Sequence, residues 1–388
     1  MAALSHAYGH PPPPSPSPVS RLLREYDAAL DSPMIRQQRR VKMIHPYGAR
    51  AWPQVCGARM SEAAPEASVW PRCSDGRERV AAAKLRLLVG VQSDPRMPFR
   101  RIGIRNTWKQ EDRVSAALVC FVIGRQGPSS AQLRQIDRED AAHGDILWLA
   151  NVSDGRAGRP MGMDKLLGWW RAAAKLMGRT MTHAVKVDDD THLMLPRLSA
   201  DLMALRCVPH LYYGGMAFIS VNPRTFKTCG FDYGGLGHYQ SYGCASRGFH
   251  VAMPFAIGAV VGLSSSLVQL VASHRDIAHF VARYSSRQNN KTVLLEDMAL
   301  GFWLAYSHGN VTYANVVRWI GDINCGRPSA GLRRGAQLSL ALHRAKFFRS
   351  HAYLWWIMHH NGTHTEANCT KQTLPTRKEA RAFAPLAG

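Results

Sequence analysis

From Lys84 onward the chain alternates short, β-rich apolar runs with stretches of helical composition, and this alternation narrows the possible folds more than any other feature. Leu85–Val91 and Ala116–Ile123 are predicted as buried strands, because each is an apolar run ended by polar residues or glycine. Asp145–Leu149 and His183–Val187 read as two more. Met163–Met177 has the length and apolar spacing of a helix, including Leu166, Leu167, Trp170 and Ala174. Pro196 suits the first turn of a helix continued by Arg197–Leu205, and Ser264–His274 and Glu296–Ser307 read as further helices. Strands alternating with helices imply the α/β class, a mostly parallel central sheet covered on both faces. Ligands in such sheets bind at the carboxyl ends of strands. Tyr212–Tyr242, rich in Gly, Tyr and Phe, reads as a ligand-facing loop region.

The flanks read differently. Residues 1–80 open with His10, Pro11–Pro14 and Ser/Pro alternation, carry a basic segment at Arg36–Lys42, and read as a disordered or stalk-like leader. Residues 81–327 form the expected catalytic domain and 328–388 a C-terminal extension. No apolar run near the start has the roughly 20 residues of a spanning helix or the pattern of a signal peptide.

The formal net charge is +22 over 388 residues, but the arginines are scattered and form no dense block or nucleic-acid-binding module. A diffusely basic enzyme is therefore expected, with no nucleic-acid partner. The eight cysteines include no CxxC pair, which argues against zinc ribbons and thioredoxin-type chemistry. Their even number suits disulfides and their wide spacing equally suits buried thiols; Cys229 and Cys244 are the pair chosen for a bridge. Asn-X-Ser/Thr triplets at Asn151, Asn290, Asn310, Asn361 and Asn368 are compatible with the secretory route.

Three segments carry chemistry. Val185-Lys186-Val187-Asp188-Asp189-Asp190 ends an apolar strand in three carboxylates, the oxygen donors a hard divalent cation takes while keeping other positions for water and phosphate. Standing alone, such a triplet is a solvated acidic turn, and without a cation or Lys186 nearby its mutual repulsion would destabilise the fold. Arg100–Trp108 presents Arg101 and Arg105, whose guanidinium forks suit phosphate or carboxylate equally, and Trp108, which can stack on a flat ring or pack under the loop. Leu294–Gly301 sets Glu296 and Asp297 at a helix start, either as partners of the helix dipole or as a carboxylate that takes a proton.

In this order the segments resemble glycosyltransferase family 31, the β-1,3-galactosyltransferase-like enzymes, over about Leu85 to Gly301. The paired Arg, Ile-Arg and Thr-Trp of Arg100–Trp108 are similar to the family's first motif. Glu139, Gly144–Leu147, Lys165 and Trp169 or Trp170 resemble the stretch before its acidic motif, which Lys186–Asp190 matches. Pro254, Gly258 and Ser264 fit its later strand, and Glu296–Met298 with Gly301 its late acidic signature. Gly258–Gly262 lacks the aromatic of the family's Gly-x-Gly-Tyr-Val segment, and the family's N-terminal anchor is not seen.

The resemblance implies a GT-A type fold, with a Rossmann-like nucleotide-binding half and an acceptor-binding half. It implies inverting transfer of a hexose, galactose being the first expectation, from a UDP-sugar to a glycan or glycoconjugate in β-1,3 linkage. It also implies Mn²⁺ (Mg²⁺ as substitute) and membrane association in the Golgi. By residue it implies Asp190 as principal metal ligand with Asp188, and Asp297 as general base. The substrate contacts it implies are Arg101, Arg105, Trp108, Lys165, Asp188, Asp189 and Glu296. The rival expectation is a carbohydrate- or nucleotide-sugar-binding protein of the same fold without turnover.

Overall fold

A computed structural model of the chain describes residues 42–44, 56, 70–83, 85–154, 162–178, 180–222, 227–232, 243–247, 249, 252–284, 296–307, 310–322, 340–344 and 351. Most of the expected leader and C-terminal extension, the sequons at Asn290, Asn361 and Asn368, and Cys325 and Cys369 lie outside these residues.

In chain order the elements begin with β1 (Lys42–Ile44), α1 (Arg77–Ala82), β2 (Leu87–Gln92), α2 (Pro98–Arg105) and β3 (Ala117–Gln126). Then come α3 (Ser130–His143), β4 (Ile146–Ser153), α4 (Met163–Leu176), β5 (His183–Asp188), β6 (His192–Leu193) and α5 (Leu195–Ala204). The strands β7 (Leu211–Val221), β8 (Thr228–Asp232) and β9 (Met253–Ser264) lead into α6 (Ser265–Ser273), α7 (Arg275–Tyr284) and α8 (Glu296–Ser307). Last are β10 (Thr312–Asn315), β11 (Ile320–Asp322) and β12 (Ala341–His343).

The main sheet has nine strands in the order β1-β10-β7-β9-β5-β2-β3-β4, with β8 attached to β7. Only the pairings of β9 with β5 and β7, and of β8 with β7, are antiparallel. The α/β class with a mostly parallel sheet is therefore what the chain adopts. Along β2 the period of two divides the side chains: Leu88 joins the core under α4, α6, α7 and α8, while Leu87, Val89 and Val91 join the core under α2 and α5. Burial on both faces explains why these strands read as unbroken apolar runs.

The same burial corrects one expectation. Leu211–Val221, the first part of the stretch read as a ligand-facing loop, is a strand buried at every position between β10 and β9. A strand covered on both sides has no polar alternation, and its tyrosines and glycines imitate loop composition. Cys229 and Cys244 are bridged, as are Cys73 with Cys120 and Cys56 with Cys207.

A small second sheet, β11-β12-β6, brings the C-terminal strand back to the acidic turn, with β12 antiparallel to β6 in the register Leu342↔His192. The large sheet admits α4 closely because Gly90 lies under the Trp169 indole, where an added Cβ would fall 2.6 Å from the ring. Gly90→Ala should therefore lower the unfolding free energy by about 1–3 kcal/mol through overpacking, measured by urea titration; an unchanged midpoint would show that the indole moves aside freely.

Candidate active site

Strand β5 delivers the centre of the site. Val185 and Val187 face one core, so Lys186 and Asp188 project from the opposite side, where an aliphatic stem is buried with its charge. The Lys186 ammonium, fully buried, donates to the Gly258 carbonyl at 3.1 Å. It also meets Asp188 at 2.7 Å, Glu296 at 3.0 Å and Asp297 at 3.3 Å. Burial alone would discharge it, but the carboxylates of Asp188, Asp297 and Glu296 outweigh that and hold its pKa well above the ordinary lysine value. One cation thus ties the end of β5 to the first turn of α8.

Gly258 makes this convergence sterically possible. A Cβ there would fall 2.7 Å from an Asp188 oxygen, 2.8 Å from an Asp297 oxygen and 3.1 Å from the Lys186 nitrogen. Asp188 and Asp297, 109 residues apart in sequence, therefore border one point in space. Burial pushes the Glu296 carboxyl up to about 8, with Lys186 opposing, and raises Asp297 for the same reason. Asp297 keeps 22% of its side chain exposed, so it is reachable from solvent.

The acidic triplet divides. Asp190 faces the His343 imidazole at 3.2 Å and Asp188 faces it at 3.6 Å. Donor atoms of Asp188, Asp190 and His343 lie within 4.8 Å of one another, a set able to hold a divalent cation. Asp189 turns the other way: it is 5% exposed, accepts the Asp94 backbone N–H at 3.0 Å and pairs with Arg100. Its role in this structure is to fasten the turn to the segment after β2.

The remaining residues singled out in the sequence form a brace behind this cluster. Arg101 is fully buried, donating to both Glu139 oxygens at 2.7 Å, to Ser93 Oγ at 3.1 Å and to the Asp94 carbonyl at 2.9 Å. Arg105 spans Glu139 at 2.7 Å and Asp145 at 2.7 Å, with its guanidinium 4.8 Å from the Phe121 ring centre. Of the two jobs left open for these arginines, this geometry is that of bracing. Trp108 is buried, and its indole N–H donates to the Thr191 carbonyl at 3.2 Å, so it packs beneath the acidic turn. Lys165, 2% exposed, donates to the Ser93 carbonyl at 2.7 Å and pairs with Asp154, joining the exits of β2 and β4.

His343 was not among the sequence-derived candidates. It lies in the segment read as an extension, and only the β12–β6 pairing sets it against Asp190; one of several histidines in an aperiodic tail carries no signal of that. Arg100 is half of an arginine pair in the sequence, but which acid it meets depends on the turn.

A family model described as galactosyltransferase matches residues 99–306 of the chain. Among curated proteins, beta-1,3-galactosyltransferase 7 of Arabidopsis thaliana is 25% identical over 239 residues, 59% of this chain and 55% of that protein. Beta-1,3-galactosyltransferase 6 of Mus musculus is 26% identical over 228 residues, 58% of this chain and 61% of that protein. The chain thus spans little more than half the length of these relatives. Among solved structures, the galactosyltransferase LgtC with donor and acceptor sugar analogs aligns at a TM-score of 0.40 and 11% identity, over 76% of this chain and all of that one.

The brace has a defined pH dependence. Burial pushes the Glu139 and Asp145 carboxyls up, but Arg101 and Arg105 outweigh it for Glu139, as Arg105 and Lys109 do for Asp145, and hold both below the ordinary carboxylate value. The fold then binds fewer protons than the unfolded chain, so their contribution is complete above about pH 5 and fades as pH falls through the unfolded and then the native values. Glu139→Gln should cost about 3–5 kcal/mol at pH 7 and flatten the acid limb of stability against pH; a variant with an unaltered acid limb would remove Glu139 from the brace.

Proposed function

This chain belongs to the galactosyltransferase family, and from that premise we propose that it is an inverting hexosyltransferase. The donor is a UDP-sugar, UDP-galactose by preference, and the acceptor a hydroxyl of a glycan or glycoconjugate, in β-1,3 linkage. The observation that carries this reading is the meeting of Asp188, Asp190 and His343 with Asp297 at the carboxyl end of β5, beside the buried Lys186 ammonium.

The donor set suits a divalent metal: two carboxylates offer hard oxygen ligands and His343 an imidazole, a mixture that favours Mn²⁺ over the all-oxygen environment of Mg²⁺. When bound, such an ion supplies Lewis-acid stabilisation of the charge growing on a departing diphosphate. The chain's own residues do the rest. Asp297 accepts the proton of the acceptor hydroxyl as that oxygen bonds to the anomeric carbon and the bond from the anomeric carbon to the UDP oxygen breaks on the opposite face. Burial raises the Asp297 carboxyl above its ordinary value against the opposing Lys186 charge, the direction that makes a carboxylate a stronger base. Lys186 stays protonated and fixes the Asp297 carboxylate from within, while Arg100, Arg101 and Trp108 hold the turn that presents Asp188 and Asp190.

A Golgi setting with membrane association is part of the same reading. Three disulfides among the described residues support an oxidising compartment. No helix among the described residues is long and apolar enough to cross a membrane.

Asp297→Asn should reduce Mn²⁺-dependent transfer from UDP-galactose by roughly 10²–10⁴-fold in a chain that keeps its native near-UV circular dichroism at the assay temperature. Asp190→Asn and His343→Ala should weaken Mn²⁺ binding directly, read by paramagnetic resonance titration without substrate. Wild-type turnover in Asp297→Asn would defeat the base assignment; a folded wild-type chain that binds UDP and Mn²⁺ but releases no UDP with any acceptor would favour a binding protein.

A further inference from the structure

The sequon Asn151-Val152-Ser153 sits at the open end of the large sheet. Strand β4 pairs with β3 and, among the described residues, with no strand on its other side. Its pairing is also irregular there. Leu149 stands opposite Gly124 and Ser153 opposite Gln126, so Ala150, Asn151 and Val152 face a single residue of the neighbour. Such a bulge lifts side chains out of the ladder, and at an edge it discourages pairing with another chain. Val152 is buried, its Cγ2 3.0 Å from where a Cβ on Gly168 would lie, while Asn151 and Ser153 are exposed. The buried middle residue anchors the triplet, and Asn151 points to solvent. The other sequon among the described residues differs: Asn310 is exposed, but its Thr312 is buried in β10 between β1 and β7. Three disulfides independently support folding where oligosaccharide transfer takes place.

We propose that Asn151 carries an N-linked oligosaccharide that covers the free edge of the sheet. The transfer joins Asn151 Nδ2 to the anomeric carbon of a lipid diphosphate-linked oligosaccharide, expels the lipid diphosphate and releases one proton from the amide. The glycan does with sugar what charged residues or proline do on other sheet edges: it blocks strand addition. Asn151 is three strands from β5, roughly 14 Å at ordinary strand spacing, so its side chain is not part of the acidic cluster.

The test uses the full chain directed into the secretory pathway of a eukaryotic cell. Peptide mapping after glycosidase release in ¹⁸O water should find Asn151 converted to labelled aspartate in most molecules; recovery of unmodified Asn151 overturns the proposal and needs no variant. Asn151→Gln and Ser153→Ala should each remove one glycosidase-sensitive step in gel mobility, and Ser153→Thr should retain it. With wild-type thermal melting, Asn151→Gln should self-associate at several-fold lower concentration in sedimentation velocity. Self-association equal to wild type would overturn the covering role even if the glycan is present.

Discussion

The buried ammonium of Lys186 is the interaction on which the arrangement rests. A lysine enclosed without partners would lose its proton, and a group of carboxylates enclosed without a cation would take protons up. Placed together, Lys186 remains charged and draws Asp188, Glu296 and Asp297 from two distant segments to one point. Removing one side of such a buried cluster costs about 3–5 kcal/mol, because the other side is then left uncompensated. The cluster also needs emptiness beside it. Gly258 supplies that by lacking the one carbon that would collide with the Asp188 and Asp297 carboxylates and crowd the Lys186 nitrogen.

Rigidity comes from a second layer, whose charges serve position. The segment after β2 is held from α2 by Arg101 and from α4 by Lys165, both of which donate to its carbonyls. Arg101 and Arg105 in turn share Glu139 on α3. Asp189 then joins that fixed segment to the acidic turn. Three successive aspartates thus do two jobs: the middle one anchors the turn, and its neighbours, on the opposite side, remain turned toward the cleft. Bidentate arginine pairs suit this work because the guanidinium fork fixes direction as well as distance.

This division explains how far the chain could be read before its structure. Strand β5 and helix α8 are legible because an unbroken apolar run ending in acids and an apolar helical stretch are local patterns. The family motifs locate Asp188, Asp190 and Asp297 for the same reason. Whether Arg101 and Arg105 face a ligand or a carboxylate is not local: Glu139 lies 38 residues from Arg101 and Asp145 lies 40 from Arg105. A guanidinium reads identically in either setting. Strand β7 escapes because full burial erases the alternation by which an edge or half-exposed strand is recognised. His343 escapes because its place depends on a pairing of three residues with two, far too short to leave a period in the sequence.

The charge of the whole molecule and the charge of its site run in opposite directions, and the contrast bears on what the cleft receives. The chain is formally +22, yet Asp188, Asp190, Glu296 and Asp297 gather around one ammonium and one imidazole. A basic exterior raises the local concentration of anions such as nucleotide diphosphates. An acidic centre would repel those anions if it met them alone. Under the proposed function, a divalent cation held by Asp188, Asp190 and His343 would resolve the conflict, because it would answer the excess of carboxylate and offer positive charge to phosphate.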